Sequence, residues 1–142
     1  MPRYETPRDI YNEDAVRDAL IARYQDMELM RTPPRYAMDF AMLRSGKLVG
    51  WAEVKSRTCS HTEYDEAMIS LSKVVAGKLL SDATGTKSHL FIKWTDRIGF
   101  VEMTKPDRIG TGGRTDRGDP NDFDLCAFFS INRFEFIEPL IN

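Results

Sequence analysis

Three features of this 142-residue sequence predict an α/β architecture, with a central mixed β-sheet covered by helices. The stretch from Asp39 to Lys55 holds two apolar runs separated by Ser45-Gly46, which reads as a β-hairpin. Apolar residues recur at helical spacing on either side of it. They are Val16, Ala19, Leu20, Tyr24 and Met27 before the hairpin, and Tyr64, Ala67, Met68, Leu71, Val74, Val75 and Leu79 after it. Two more apolar runs, Ser88 to Trp94 and Ile98 to Met103, follow across a short Thr95-Asp96-Arg97 turn and suit the same sheet. Both faces of the hairpin are largely apolar, as in a strand pair buried on each side.

Taken in order, residues 1–11 are polar with two prolines and read as a lead-in arm. Asn12 is a suitable N-cap, with Glu13 and Asp14 in the first turn, where the helix dipole favours acids. This first helix is expected to run to about Met30, before Pro33-Pro34. In the hairpin, a three-residue loop Arg44-Ser45-Gly46 with Gly46 left-handed pairs Leu43 with Lys47. That register sets Asp39 opposite Trp51 and diagonal to Glu53 on one face, roughly 7 Å apart between backbones. Lys55 shares that face because side chains alternate with period two. Met38, Phe40, Met42, Leu48, Ala52 and Val54 fall on the other. A two-residue loop alone would turn Glu53 away from Asp39.

After a polar link, Thr62 and Asp65 resemble a capping box and are expected to open the second helix, with Ser70, Lys73 and Gly77 beside its apolar stripe. From Lys105 to Asp122 the chain is polar and rich in Gly and Pro, and reads as a long loop without structure of its own. Gly112-Gly113-Arg114 is not a phosphate-binding loop, because the Lys-Ser/Thr of that motif is absent. Phe123 to Ile131 reads as a last strand, with Phe134, Phe136 and Ile137 packing what remains.

The balance of 20 basic against 22 acidic residues excludes a histone-like blanket of positive charge but leaves room for a local basic patch. The length and the 42% hydrophobic content suit one soluble domain over residues 1–142. Cys59 and Cys126, with two His residues, match no zinc spacing and read as free thiols of a reducing cytoplasm. No apolar run is long enough to span a membrane, and the N-terminus does not read as a signal peptide, so a cytoplasmic location is expected.

Asp39, Glu53 and Lys55 gather three charges at one end of the hairpin. A salt bridge at the sheet rim would explain them and contribute ~1 kcal/mol or less if exposed. Two neighbouring carboxylates repel, however, and one Lys neutralises only one of them. Hard carboxylate oxygens would instead suit Mg²⁺ or Mn²⁺, with water completing the coordination.

The pattern Asp39-x13-Glu53-x-Lys55 on two hairpin strands resembles the active-site motif of the PD-(D/E)XK nuclease superfamily, in its small single-domain phage or resolvase-like form. Met38 stands where that pattern often has Pro, and the resemblance covers roughly residues 12 to 103. It implies a restriction-endonuclease-like αβββαβ core and a metal-dependent endonuclease acting on DNA phosphodiesters, of the Holliday-junction-resolvase or phage-recombination kind. Asp39 and Glu53 would ligate Mg²⁺ or Mn²⁺, with the Val54 carbonyl as a third ligand, and Lys55 would assist the attacking water. In some resolvase-like members an acid on the first helix joins the metal. Glu13 is similar in position, although a first-turn acid needs no such role. Lys73 would contact phosphate or support the site, or else be a solvated Lys. Arg108, Arg114 and Arg117 would follow a DNA backbone, or else pair with the acids of their own loop. His61 would contact DNA near the scissile phosphate, or be incidental. A homodimer is compatible with this reading, and a phage-encoded protein would act in the host cytoplasm. The alternative function is a catalytically inactive nucleic-acid- or protein-binding regulator on the same fold.

Overall fold

The computed structural model describes residues 7–112 and 124–139. A helix, α1 (Pro7–Arg23), leads into strand β1 (Met27–Arg31) and the hairpin strands β2 (Phe40–Arg44) and β3 (Lys47–Ser56). Strand β4 (Glu66–Ser70) runs directly into helix α2 (Leu71–Thr84), followed by β5 (Lys87–Lys93) and β6 (Ile98–Glu102). Strands β7 (Arg108–Gly112) and β8 (Asp124–Ser130), a 3-10 turn (Ile131–Arg133) and β9 (Glu135–Glu138) complete the order.

Two sheets result. The larger has six strands in the order β1-β2-β3-β5-β6-β9. Its β3–β5 pair is parallel, and the other pairs are antiparallel. The mixed sheet expected from the sequence is therefore present, with α1 on one face and α2 on the other. The smaller sheet, β4-β8-β7, packs on the α2 side. Two apolar clusters sandwich the large sheet. Val16, Leu20, Phe40, Ala52, Val54, Phe91 and Ile137 lie on the α1 side. Trp51, Ile69, Val74, Leu90, Ile92, Met103, Phe129 and Phe134 lie on the other.

Several boundaries differ from the expectations. Helix α1 starts at Pro7, a residue the first helical turn accepts, rather than at Asn12. It stops at Arg23, because Met27–Arg31 forms an edge strand with Leu29 buried between exposed Glu28 and Met30. Met and Leu suit helices as well as strands, so helical spacing extended through them. Thr62 does not open the second helix. Residues Glu66–Ser70 alternate between buried Ala67 and Ile69 and more accessible neighbours, and pair with β8. Ser70 caps α2, its side chain accepting from the Ser72 amide. Val75 and Leu79 are exposed, at 52% and 65%, so the face of α2 turned to the core runs through Val74 and Gly77 instead. The segment expected to be a long loop contains β7, which pairs with β8.

The hairpin turn also differs. Ser45 and Gly46 form a two-residue turn, both with positive φ (52° and 76°), and Arg44 pairs with Lys47. A bulge then shifts the register between Leu43↔Leu48 and Met42↔Gly50. The even turn and the extra residue together restore the parity that an odd loop would have given. Beyond the bulge Phe40 faces Ala52, which places Asp39 level with Glu53 rather than with Trp51. The bulge also carries Leu48 to the α2 side, where Met38, just ahead of the strand, is buried as well.

Candidate active site

Residues of β3 alternate between the two cores, so Ala52 and Val54 face α1 while Glu53 and Lys55 face α2. Glu53 is fully buried, paired across the parallel ladder with Leu90. Asp39 enters from the segment before β2. Its amide donates to the Ala52 carbonyl at 3.0 Å, and its Oδ2 accepts from the Val54 amide at 2.8 Å. These two bonds lock the Asp39 carboxylate onto the Glu53-Val54-Lys55 segment.

Two ammonium groups complete the cluster. Lys73 Nζ, from the first turns of α2, lies 3.2 Å from Glu53 Oε2, and Lys55 Nζ lies 3.7 Å from the same oxygen. Of Ser70, Lys73 and Gly77, expected on one helix face, Ser70 instead ends β4 and caps α2, while Lys73 and Gly77 lie on the helix. Gly77 is buried against Met103 and Ser88, and the close approach of helix to sheet brings Lys73, one turn earlier, over Glu53.

Burial raises the proton affinity of Glu53, and the neighbouring Asp39 charge raises it further. Lys55 and Lys73 offset part of this, leaving the pKa at about 7. Neither Glu53 oxygen has a hydrogen bond of good geometry, although both are buried. A buried carboxylate whose company is a second carboxylate and two ammonium groups is costly for a purely structural role. Such a donor set fits a hard divalent cation, which Mg²⁺ in particular binds through one or two carboxylates while keeping several waters. Among the described residues no group of three or more Asp, Glu, His or Cys side chains stands close enough to share a metal.

Glu13 accordingly does not join Asp39 and Glu53. It is buried on α1 and bonds the Arg31 guanidinium, which also holds Asp14 at 2.6 Å and lies over the Phe40 ring. Arg31 thus ties helix to edge strand. The Val54 side chain packs on the α1 side, and the residue meets the cluster through its backbone.

The other expected residues are dispersed. His61 lies in the β3–β4 link, its Nδ1 2.6 Å from Asp96 Oδ2 and its ring against Trp94 and Phe136. Burial pulls the Asp96 carboxyl up, but hydrogen bonds from the His61 amide and ring and from Ser60 outweigh it and hold the pKa at about 2. Arg108 starts β7, where its guanidinium makes a forked pair with Glu66 and stacks on Phe128 at 3.8 Å. Arg114 and Arg117 lie outside the described residues. Arg57 was not singled out from the sequence, yet continuing the period-two row of Glu53 and Lys55 leads directly to it.

A family model described as "Phage putative PDDEXK endonuclease" matches residues 1–137. Among curated proteins, none matches the sequence. Among solved structures, the chain is similar to Hjc of Archaeoglobus fulgidus, a Holliday junction resolvase from an archaeal hyperthermophile. That match has a TM-score of 0.52 at 15% identity, over 69% of this chain and 77% of that one, and it supports the fold. The family model spans nearly the whole chain, and the chain belongs to the phage PDDEXK endonuclease family.

Proposed function

We propose that the protein is a metal-dependent endonuclease that hydrolyses DNA phosphodiester bonds, as a single domain using Mg²⁺ or Mn²⁺. The observation that carries this reading is the burial of Glu53, without a well-formed hydrogen bond, beside Asp39 and two Lys residues. Asp39 and Glu53 would hold the cation, with the Val54 carbonyl as a further ligand. When bound, the cation supplies Lewis acidity at a phosphoryl oxygen and lowers the pKa of water. Lys55, as an ammonium, orients the attacking water and stabilises the charge that develops on the phosphoryl oxygen, and Lys73 holds Glu53 in place and balances its charge. No role at the metal is proposed for Glu13, whose carboxylate is committed to Arg31.

Outside this cluster, Arg114, Arg117 and, by exchanging Glu66 for phosphate, Arg108 would position the DNA backbone. A Holliday-junction-resolvase-like or phage-recombination substrate is the finer expectation. Such an enzyme would work in the host cytoplasm. Among the described residues no helix is long and apolar enough to cross a membrane. The test is cleavage of linear duplex, single-stranded and branched DNA, each with and without Mg²⁺. Mg²⁺-dependent nicking that is strongest on the branched substrate is expected. Absence of metal-dependent cleavage on all three would contradict the reading and favour a non-catalytic binding protein.

A further inference from the structure

The row of Glu53 and Lys55 leads on to Arg57, just past the end of β3 and about 7 Å beyond Lys55, where the Arg57 amide donates to the Lys93 carbonyl at 2.9 Å. Arg57 does not end in solvent. It lines a cavity of about 510 Å³ between the β3–β4 link, the end of β5 and the small sheet. Tyr64, Trp94 and Phe128 contribute aromatic surface to this cavity and His61 a ring nitrogen, while Asp65 lines it too, as does Glu66, whose charge is matched by Arg108. Arg57 donates to the carbonyls of Ser56 and Met68, which hold the guanidinium without cancelling its charge. Among the described residues no carboxylate forms an ion pair with it. His61 is fixed through Nδ1 by Asp96, so the ring is oriented and its second nitrogen remains for another partner.

We propose that this cavity receives one unstacked nucleotide of the DNA strand cut at the Asp39–Glu53 site. The base would lie among the rings, and its phosphate would be held by Arg57. This rests on the nuclease reading and adds a substrate subsite to it. Mostly apolar lining with a few fixed polar groups suits a flat heteroaromatic base, and the volume lies in the range of small-molecule pockets. Continuity with the catalytic row of β3 argues for a nucleotide of the substrate itself rather than a separate ligand. Extruding a base costs least where it is unpaired, so the cavity would favour a substrate with a mispaired, branched or single-stranded nucleotide beside the cut.

The test uses the full chain in Ca²⁺ with oligonucleotides carrying 2-aminopurine singly at each position flanking the mapped cut, since this base brightens when it leaves the stack. One position is expected to brighten several-fold in wild type. Tyr64 is 66% exposed, so Tyr64→Ala leaves the core intact. It should abolish the signal and weaken binding about tenfold, whereas Tyr64→Phe retains both. Wild-type cleavage with no responding position would overturn the subsite and leave the nuclease standing. A response indifferent to Tyr64→Ala would do the same. A chain that neither binds nor cuts any of these DNAs would remove the nuclease reading and the subsite with it.

Discussion

Glu53 concentrates the unfavourable electrostatics of the molecule in one side chain. Its pKa of about 7, against an ordinary 4.5, means that between these pH values the folded state binds more protons than the unfolded one. Stability contributed by the protonated group is therefore fully present below about pH 4.5 and is lost as pH rises through about 7. In chelator, wild type should lose on the order of 3 kcal/mol relative to Glu53→Gln across that window, followed by urea denaturation at each pH. Saturating Mn²⁺ should restore much of the loss to wild type and little to the variant. A constant difference between the two proteins from pH 4.5 to 7 would contradict the buried, charge-crowded site. Acid-x-Lys alone is too short to single this residue out of a sequence, and what makes Glu53 legible is the hairpin that sets it beside Asp39 and the helix that follows. Its partner Lys73 is open to two readings from sequence, since a helical Lys is as readily solvated as it is turned to a site. The sequence leaves open whether Glu13 joins the metal, because its partner Arg31 ends a strand that reads as helix.

At the scale of elements, the hairpin sets the geometry through two compensating features. A two-residue turn alone would point Glu53 away from Asp39, and the bulge before Gly50 corrects the parity. Gly50 is needed there because a Cβ would meet the Lys87 carbonyl oxygen at 2.9 Å, as β3 closes on β5. Parity was deducible from the requirement that two ligands share a face, but parity alone does not distinguish an odd loop from an even turn with a bulge. The turn itself gives a check. With both central residues left-handed, Ser45→Asn should stabilise by roughly 0.5 kcal/mol and Gly46→Ala should destabilise by about 1 kcal/mol. Thermal or urea unfolding measures both, and a Gly46→Ala protein as stable as wild type would contradict the left-handed turn.

Across the whole molecule, the sheet divides the chain into a scaffold side under α1 and a working side under α2 and the small sheet. The class of fold was readable because the hairpin, β5 and β6 are strongly apolar. The small sheet was not, because β4 is five residues long and opens directly into a helix, and β7 hides in Gly-rich sequence. On the working side, elements distant in sequence meet at one point: the lead into β2, the middle of β3 and the start of α2. This convergence is proposed as a metal site with divided labour. Calorimetric titration with Mn²⁺, paired with a nicking assay on the same preparations, separates the roles of Glu53 and Lys55. Wild type should bind, and Glu53→Ala should lose both binding and cleavage. Lys55→Ala should bind at least as tightly, having lost a cation that repels the metal, while cleavage falls by roughly a hundredfold or more. Identical Mn²⁺ titrations for wild type and Glu53→Ala would contradict the account.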